Sequence, residues 1–189
     1  MGERFQGLKP EFFAALGQFV YEYAEIEHTM FHVLRVSLRL SKNTSYALFS
    51  GARVSELVDH IKRFYAAEGK PLSSWLERAF GKIGEINTVR NKLLHHGIWV
   101  NRGTNYVTDR FRNSPLRAKE FSVTIEDLQN ITEDAHTVRA CLIAHWVRER
   151  HIKTFAQYQD WDAIALRPWF YKFPQLVPPE GVRRKRDAA

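Results

Sequence analysis

The stretch LSSWLERAFGKIGEINTVRNKLLHHG, residues 72–97, decides the fold of this 189-residue chain. Its apolar residues recur every three or four positions, the spacing that lines one face of an α-helix. These positions are Leu76, Phe80, Ile83, Ile86, Val89 and Leu93. Gly97 stops the pattern, and the residues after it alternate in the manner of short strands. The stretch therefore predicts a long amphipathic helix over 72–96 that packs against other helices.

Helical periodicity continues on both sides of this stretch. It predicts further helices over 10–40, 44–49, 53–67 and 124–150, the last with Thr124 as its N-cap. Strand-like segments around Gly103 and Pro115 predict a small excursion over about 97–123. The predicted fold class is therefore all-α, an antiparallel helical bundle of four to five helices with a small β-hairpin-like insertion.

Length and composition predict how the chain is organised. We expect a helical domain over 1–150, an aromatic C-terminal extension over 151–175 that packs on the bundle, and a basic, disordered tail over 176–189. Cys141 is the only cysteine, which is typical of a reducing compartment. No signal peptide is recognisable, and no apolar run approaches the ~20 residues of a membrane helix. We therefore expect a cytoplasmic protein with no membrane partner.

The positive charge is concentrated in two segments. The chain carries a formal charge of +7, of which +3 falls in residues 101–120 and another +3 in residues 183–187. The rest of the chain is nearly neutral. Clustered basic residues of this kind favour a polyanionic partner; the alternative is a solubilising tail and a solvated loop.

The end of the 72–96 helix carries the residues best suited to chemistry. Asn87, Asn91 and His95 recur every four positions and form a polar line, while Leu93 and Leu94 are expected on packing faces. Arg90 lies about 140° from His95 around the helix axis, a gap that its long side chain can span. A guanidinium binds a phosphate through two parallel hydrogen bonds, and an imidazole gains or loses a proton near neutral pH. The set can hold a phosphodiester and move a proton without a metal or another cofactor.

The segment from Arg90 through Asn91 and residues 92–94 to His95 resembles the R-polar-x3-H motif of HEPN domains. These are α-helical domains found in many prokaryotic toxin and anti-phage systems. The order of the helices is also similar, and the resemblance covers roughly residues 10–150.

The resemblance implies a metal-independent endoribonuclease. The arginine would hold the scissile phosphate, and the histidine would manage the proton of the attacking 2′-hydroxyl or of the leaving 5′-oxygen. The polar residue after the arginine would orient the pair, and the products would carry 2′,3′-cyclic phosphate and 5′-hydroxyl ends. The implied catalytic residues are Arg90, Asn91 and His95, with His96 in support or in place of His95. The implied RNA-binding residues are Lys92, Arg102, Arg110 and Arg112.

The resemblance also implies partners. RNA cleavage uses an acid and a base, and members of the family commonly pair their motif helices across a two-fold axis, so we expect a homodimer. The implied setting is a toxin or anti-phage effector with a cognate antitoxin or regulatory partner.

Two other interpretations remain open at this point. The first is a non-catalytic HEPN-like module that binds nucleotides, RNA or protein. In a purely structural version, Arg90 pairs with Glu22 or Glu25 and His95 caps helix carbonyls.

The second alternative is a di-metal carboxylate bundle. Two Glu-x-x-His pairs, Glu25 with His28 and Glu133 with His136, have the spacing of ligands on one helix face. His28 and His32, one turn apart, could also chelate a metal, although such pairs more often form surface contacts.

Overall fold

The computed structural model describes residues 9–95, 98–101, 104–108, 120–149 and 159–172. Within these ranges the protein is a helical bundle, which confirms the predicted all-α class. None of the helices in these ranges is long and apolar enough to cross a lipid bilayer.

The helices have bounds close to those predicted. They are α1 (Pro10–Ser37), α2 (Lys42–Phe49), α3 (Val54–Ala67), α4 (Ser74–His95), α5 (Ile125–Glu149) and α6 (Gln159–Ala165). Helix α6 has no counterpart among the predicted helices. Helix α2 begins two residues before its predicted start because the Ser41 hydroxyl accepts a hydrogen bond from the Thr44 backbone N–H at 3.1 Å.

Three short strands lie between α4 and α5. They are β1 (Ile98–Asn101), β2 (Thr104–Thr108) and β3 (Glu120–Ser122), and they form an antiparallel sheet in the order β1-β2-β3. Ile98 is opposite Val107, and Val107 is opposite Phe121. The connecting residues 102–103 and 109–119 lie outside the described residues.

Helix α5 begins with a reciprocal capping arrangement. The Thr124 hydroxyl accepts a hydrogen bond from the Asp127 backbone N–H at 3.0 Å, and the Asp127 carboxylate accepts one from the Thr124 backbone N–H at 2.9 Å. Two N–H groups that a helix start leaves without partners are satisfied in this way. The predicted N-cap at Thr124 is confirmed.

The hydrophobic core lies around α5, which packs against α1, α4 and α6. All six apolar positions predicted for α4 are buried, with exposed fractions of 9% or less. Leu94 is different: its side chain is 42% exposed, so the expectation that it packs within a single copy of the chain is wrong. One residue after Leu93, the helix has turned by about 100° and carries Leu94 past the edge of the core stripe.

A buried ion pair joins α4 to α5 and to the C-terminal extension. The Lys82 ammonium lies 3.1 Å from the Asp134 carboxylate and donates to the Tyr171 carbonyl oxygen at 2.9 Å. Asp134 also accepts hydrogen bonds from the backbone N–H groups of Phe170 and Tyr171. Near the other end of α5, His145 contacts the Ser73 hydroxyl at 2.8 Å. Ser73 precedes Lys82 while His145 follows Asp134, so α4 and α5 run antiparallel.

Candidate active site at the end of helix α4

The last turns of α4 bring Arg90, Asn91 and His95 together, and we call these three residues the candidate triad. Nη1 of Arg90 donates a hydrogen bond to Oδ1 of Asn91 at 3.0 Å and lies 3.5 Å from Nε2 of His95. A guanidinium only donates, so this contact is a hydrogen bond when Nε2 of His95 carries no proton. The long arginine side chain thus spans the predicted angular gap. Arg90 and Asn91 are half-buried, whereas His95 is exposed.

The other predicted site residues divide into two groups. Asn87 continues the predicted polar line, with its Oδ1 3.5 Å from Nδ2 of Asn91. Lys92 is half-buried in the last turn of α4. The remaining predicted residues lie outside the described residues; they are His96, Arg102, Arg110 and Arg112.

Helix α1 contributes two residues that the sequence analysis did not assign to the site. The Tyr23 hydroxyl donates to Oδ1 of Asn87 at 2.7 Å, and Cζ of Arg90 lies 5.4 Å from the centre of the Tyr23 ring. Glu27 follows one turn later and interacts electrostatically with both Arg90 and Tyr23. Tyr23 belongs to the apolar stripe of α1 by its spacing in the sequence. The one signal in the sequence for its role in the site is its hydroxyl, because a tyrosine buried in the apolar stripe of a helix needs a hydrogen-bond partner for that group.

Desolvation raises the pKa of both α1 residues. The pKa of Tyr23 is raised to about 12, chiefly by burial and also by the Glu27 carboxylate, against the opposing effect of the Arg90 guanidinium. The pKa of Glu27, whose side chain is exposed, is raised by partial desolvation and lowered by Arg90. The Tyr23 phenol consequently keeps its proton at neutral pH and remains a hydrogen-bond donor.

The purely structural pairing of Arg90 with Glu22 or Glu25 is wrong. Both carboxylates bind Arg139 of α5 instead, at 3.3 and 3.2 Å from its Nη1. Positions 22 and 25 of α1 face α5, whereas Tyr23 faces α4. Because the two glutamates lie on the α5 side of α1, Arg90 contacts Asn91, His95 and the Tyr23 ring instead.

The carboxylates of the di-metal interpretation are engaged by arginines. Beyond the Glu22 and Glu25 contacts with Arg139, the Glu133 carboxylate lies 3.6 Å from Arg167. His28 and His32 contact each other through their Nε2 atoms at 3.1 Å. Across the described ranges, no group of three or more His, Cys, Asp or Glu side chains could hold a metal ion. These contacts favour structural ion pairs over metal ligation.

A cleft of about 500 Å³ lies along the first half of α4, away from the candidate triad. Its lining residues are Ser74, Glu77, Arg78, Gly81, Lys82, Glu85 and Trp169. Both of its cations have partners within the chain: Lys82 binds Glu85 and Asp134, and Arg78 donates to the carbonyl oxygens of Ala165 and Arg167. The cleft thus offers no unpaired cation for a phosphate.

Comparison of the chain with models of known protein families, with curated proteins and with solved structures finds no match. The end of α4 places a guanidinium, an amide and an imidazole within one set of polar contacts.

Proposed function

We propose that the protein is a HEPN-like endoribonuclease that cleaves RNA without a metal ion, with the candidate triad at its active site. The observation that carries the proposal is the position of Arg90 Nη1 between Asn91 Oδ1, at 3.0 Å, and His95 Nε2, at 3.5 Å. The exposure of His95 supports it further, because a polymeric substrate must reach the imidazole.

Arg90 binds the scissile phosphate through paired N–H donors and stabilises the negative charge that develops in the transition state. Nε2 of His95, released when the phosphate takes over the Arg90 donor, accepts the proton of the ribose 2′-hydroxyl. The 2′-oxygen then attacks phosphorus, and the bond from phosphorus to the 5′-oxygen breaks. The products are a 2′,3′-cyclic phosphate and a 5′-hydroxyl end. The internal nucleophile explains why no metal-activated water is needed.

The leaving 5′-oxygen needs a proton, and one triad holds a single imidazole beside Arg90. A homodimer in which the α4 helices meet supplies a second triad, whose histidine acts as the acid. The exposed Leu94, adjacent to His95, supports this arrangement because a second copy would cover it. The basic residues of segment 101–120 then steer the RNA backbone toward the paired sites. A toxin or anti-phage role with a cognate partner is the biological setting we propose.

Matched variants test the assignment. Fluorescently labelled RNA is incubated with wild type, Arg90→Ala, His95→Ala and His96→Ala, and both cleavage rate and RNA affinity are measured. Arg63→Ala, an exposed arginine of α3, is the control for loss of charge. His95→Ala should lower the cleavage rate by about 10²–10⁴-fold with unchanged affinity, because it removes the proton-transfer group. Arg90→Ala should weaken both cleavage and binding.

The same experiment separates the binding-module alternative. Such a module would form no product, would bind less tightly after Arg90→Ala, and would be indifferent to His95→Ala. Loss of cleavage in His96→Ala with full activity in His95→Ala would move the proton-transfer role to His96.

A further inference from the structure

The Tyr23 ring forms a platform for the Arg90 guanidinium. The distance of 5.4 Å between Arg90 Cζ and the ring centre lies within the range of a cation–π contact. Tyr23 is only 4% exposed, so the packed core fixes its ring in place. Helix α1 thereby supports a side chain whose flexible stem begins on α4.

The Tyr23 hydroxyl holds the same guanidinium by a second route. It donates to Oδ1 of Asn87 at 2.7 Å, and Nδ2 of Asn91 also points to that oxygen at 3.5 Å. With its nitrogen directed at Asn87, the Asn91 amide must direct its oxygen toward Arg90, which donates to it at 3.0 Å. Tyr23 and Asn91 thus both donate to Oδ1 of Asn87, and Arg90 donates to Oδ1 of Asn91, so each amide is held in one orientation. Because the buried phenol stays protonated at neutral pH, it remains the donor that keeps the Asn87 oxygen turned toward this network.

We propose that Tyr23 of α1 is a positioning residue that fixes the orientation of Arg90 toward His95, with its ring beneath the guanidinium and its hydroxyl acting through Asn87 and Asn91. This inference rests on the proposed ribonuclease function for its effect on rate, but its effect on Arg90 is independent of catalysis. Tyr23 does not touch the substrate, since its side chain is enclosed in the core.

The test uses Tyr23→Phe, which keeps the ring and its volume and removes only the hydroxyl, and Tyr23→Leu, which removes both supports. Tyr65→Phe is the matched control, because Tyr65 of α3 is also buried and its hydroxyl contacts His145 of α5, away from Arg90. The first readout is the order parameter of the Arg90 Nε–Hε bond measured by NMR relaxation. The second is the split between kcat and the Kd for a non-cleavable 2′-deoxy substrate.

We expect Tyr23→Phe to lower the Arg90 order parameter, from a rigid value of about 0.85 toward about 0.6 or less, and Tyr23→Leu to lower it further. The corresponding losses in kcat are about 10-fold and about 100-fold, with Kd nearly unchanged, because misplacing a catalytic group by about 1 Å is enough for such a loss. Tyr65→Phe should change neither quantity, although it removes an equivalent buried hydroxyl.

An Arg90 order parameter that is the same in wild type and Tyr23→Phe would overturn the inference, whatever the activity. Wild-type protein that cleaves no RNA would instead overturn the proposed function, while the NMR comparison would still decide the role of Tyr23. Equal losses of kcat in Tyr23→Phe and Tyr65→Phe would also overturn the positioning role of Tyr23, because they would indicate a general loss of packing.

Discussion

Replacing Asp134 with Ala tests the contact that fixes α4 and the C-terminal extension to α5. The Asp134 side chain is fully buried and pairs with Lys82 at 3.1 Å. Its carboxylate also accepts hydrogen bonds from the backbone N–H groups of Phe170 and Tyr171, at 2.7 and 3.0 Å. The substitution leaves a buried ammonium and two backbone donors without these oxygens. Its effect should therefore be large for a single side chain.

The magnitude follows from the partners that remain. Removing one member of a buried ion pair costs about 3–5 kcal/mol, and each abandoned buried donor costs about 1–3 kcal/mol. Lys82 retains Glu85 at 2.9 Å and the Tyr171 carbonyl at 2.9 Å, which offsets part of the loss. Because these contributions are not additive, we expect the free energy of unfolding to fall by about 3–5 kcal/mol in total.

Urea unfolding followed by tryptophan fluorescence measures the change. Asp162→Ala is the matched control, because its ion pair with Arg148 is exposed, with 51% and 59% of the two side chains accessible, and should contribute about 0–1 kcal/mol. The double variant Lys82→Met with Asp134→Leu should be more stable than Asp134→Ala, since it leaves no buried charge. The expected loss in the free energy of unfolding is at least about 3 kcal/mol. A loss of less than about 1 kcal/mol in Asp134→Ala would refute this reasoning.

Three further predictions follow from exposure and ionisation. Leu94→Glu should convert the proposed homodimer to a monomer in light scattering, whereas Leu48→Glu, at the more exposed Leu48 of α2, should not; a dimer that survives would exclude Leu94 from its interface. Burial raises the pKa of Cys141 to about 11, so alkylation at pH 8 should be about 100-fold slower in the folded protein than in urea, and equal rates would contradict the buried position. Burial lowers the pKa of His32 and His136 below 6.5, so the unfolded chain binds more protons than the folded chain and stability should decline as the pH falls below about 6.5. A melting temperature that does not fall between pH 7 and pH 5 would contradict this. An equal fall after both histidines are changed to Gln would also contradict it.

Local patterns in the sequence were sufficient to predict the helices and their buried faces. The 3.6-residue period of α4 identified all six of its core positions, and the Thr124 capping pattern located the start of α5. Both signals depend only on residues that are close in the chain. They fail where a stripe ends, which is why the exposure of Leu94 was not anticipated.

The neighbours of each helix face could not be predicted in the same way. Whether Arg90 meets Glu22, Glu25 or Tyr23 depends on the rotation of α1 relative to α4 and α5, which the period alone does not specify. The burial of Lys82 similarly depends on Asp134, a distant residue on the facing helix. Long-range pairing of this kind decides which polar residues of the candidate site act together.

The central claim is that Arg90, Asn91 and His95 cleave RNA without a metal ion. The most direct measurement is the chemistry of the product ends after wild-type protein and His95→Ala are each incubated with tRNA in excess EDTA. We predict cleavage by the wild type, 2′,3′-cyclic phosphate and 5′-hydroxyl ends, and no cleavage by the variant. Cleavage that stops in EDTA, that leaves 5′-phosphate ends, or that continues at the wild-type rate in His95→Ala would contradict it.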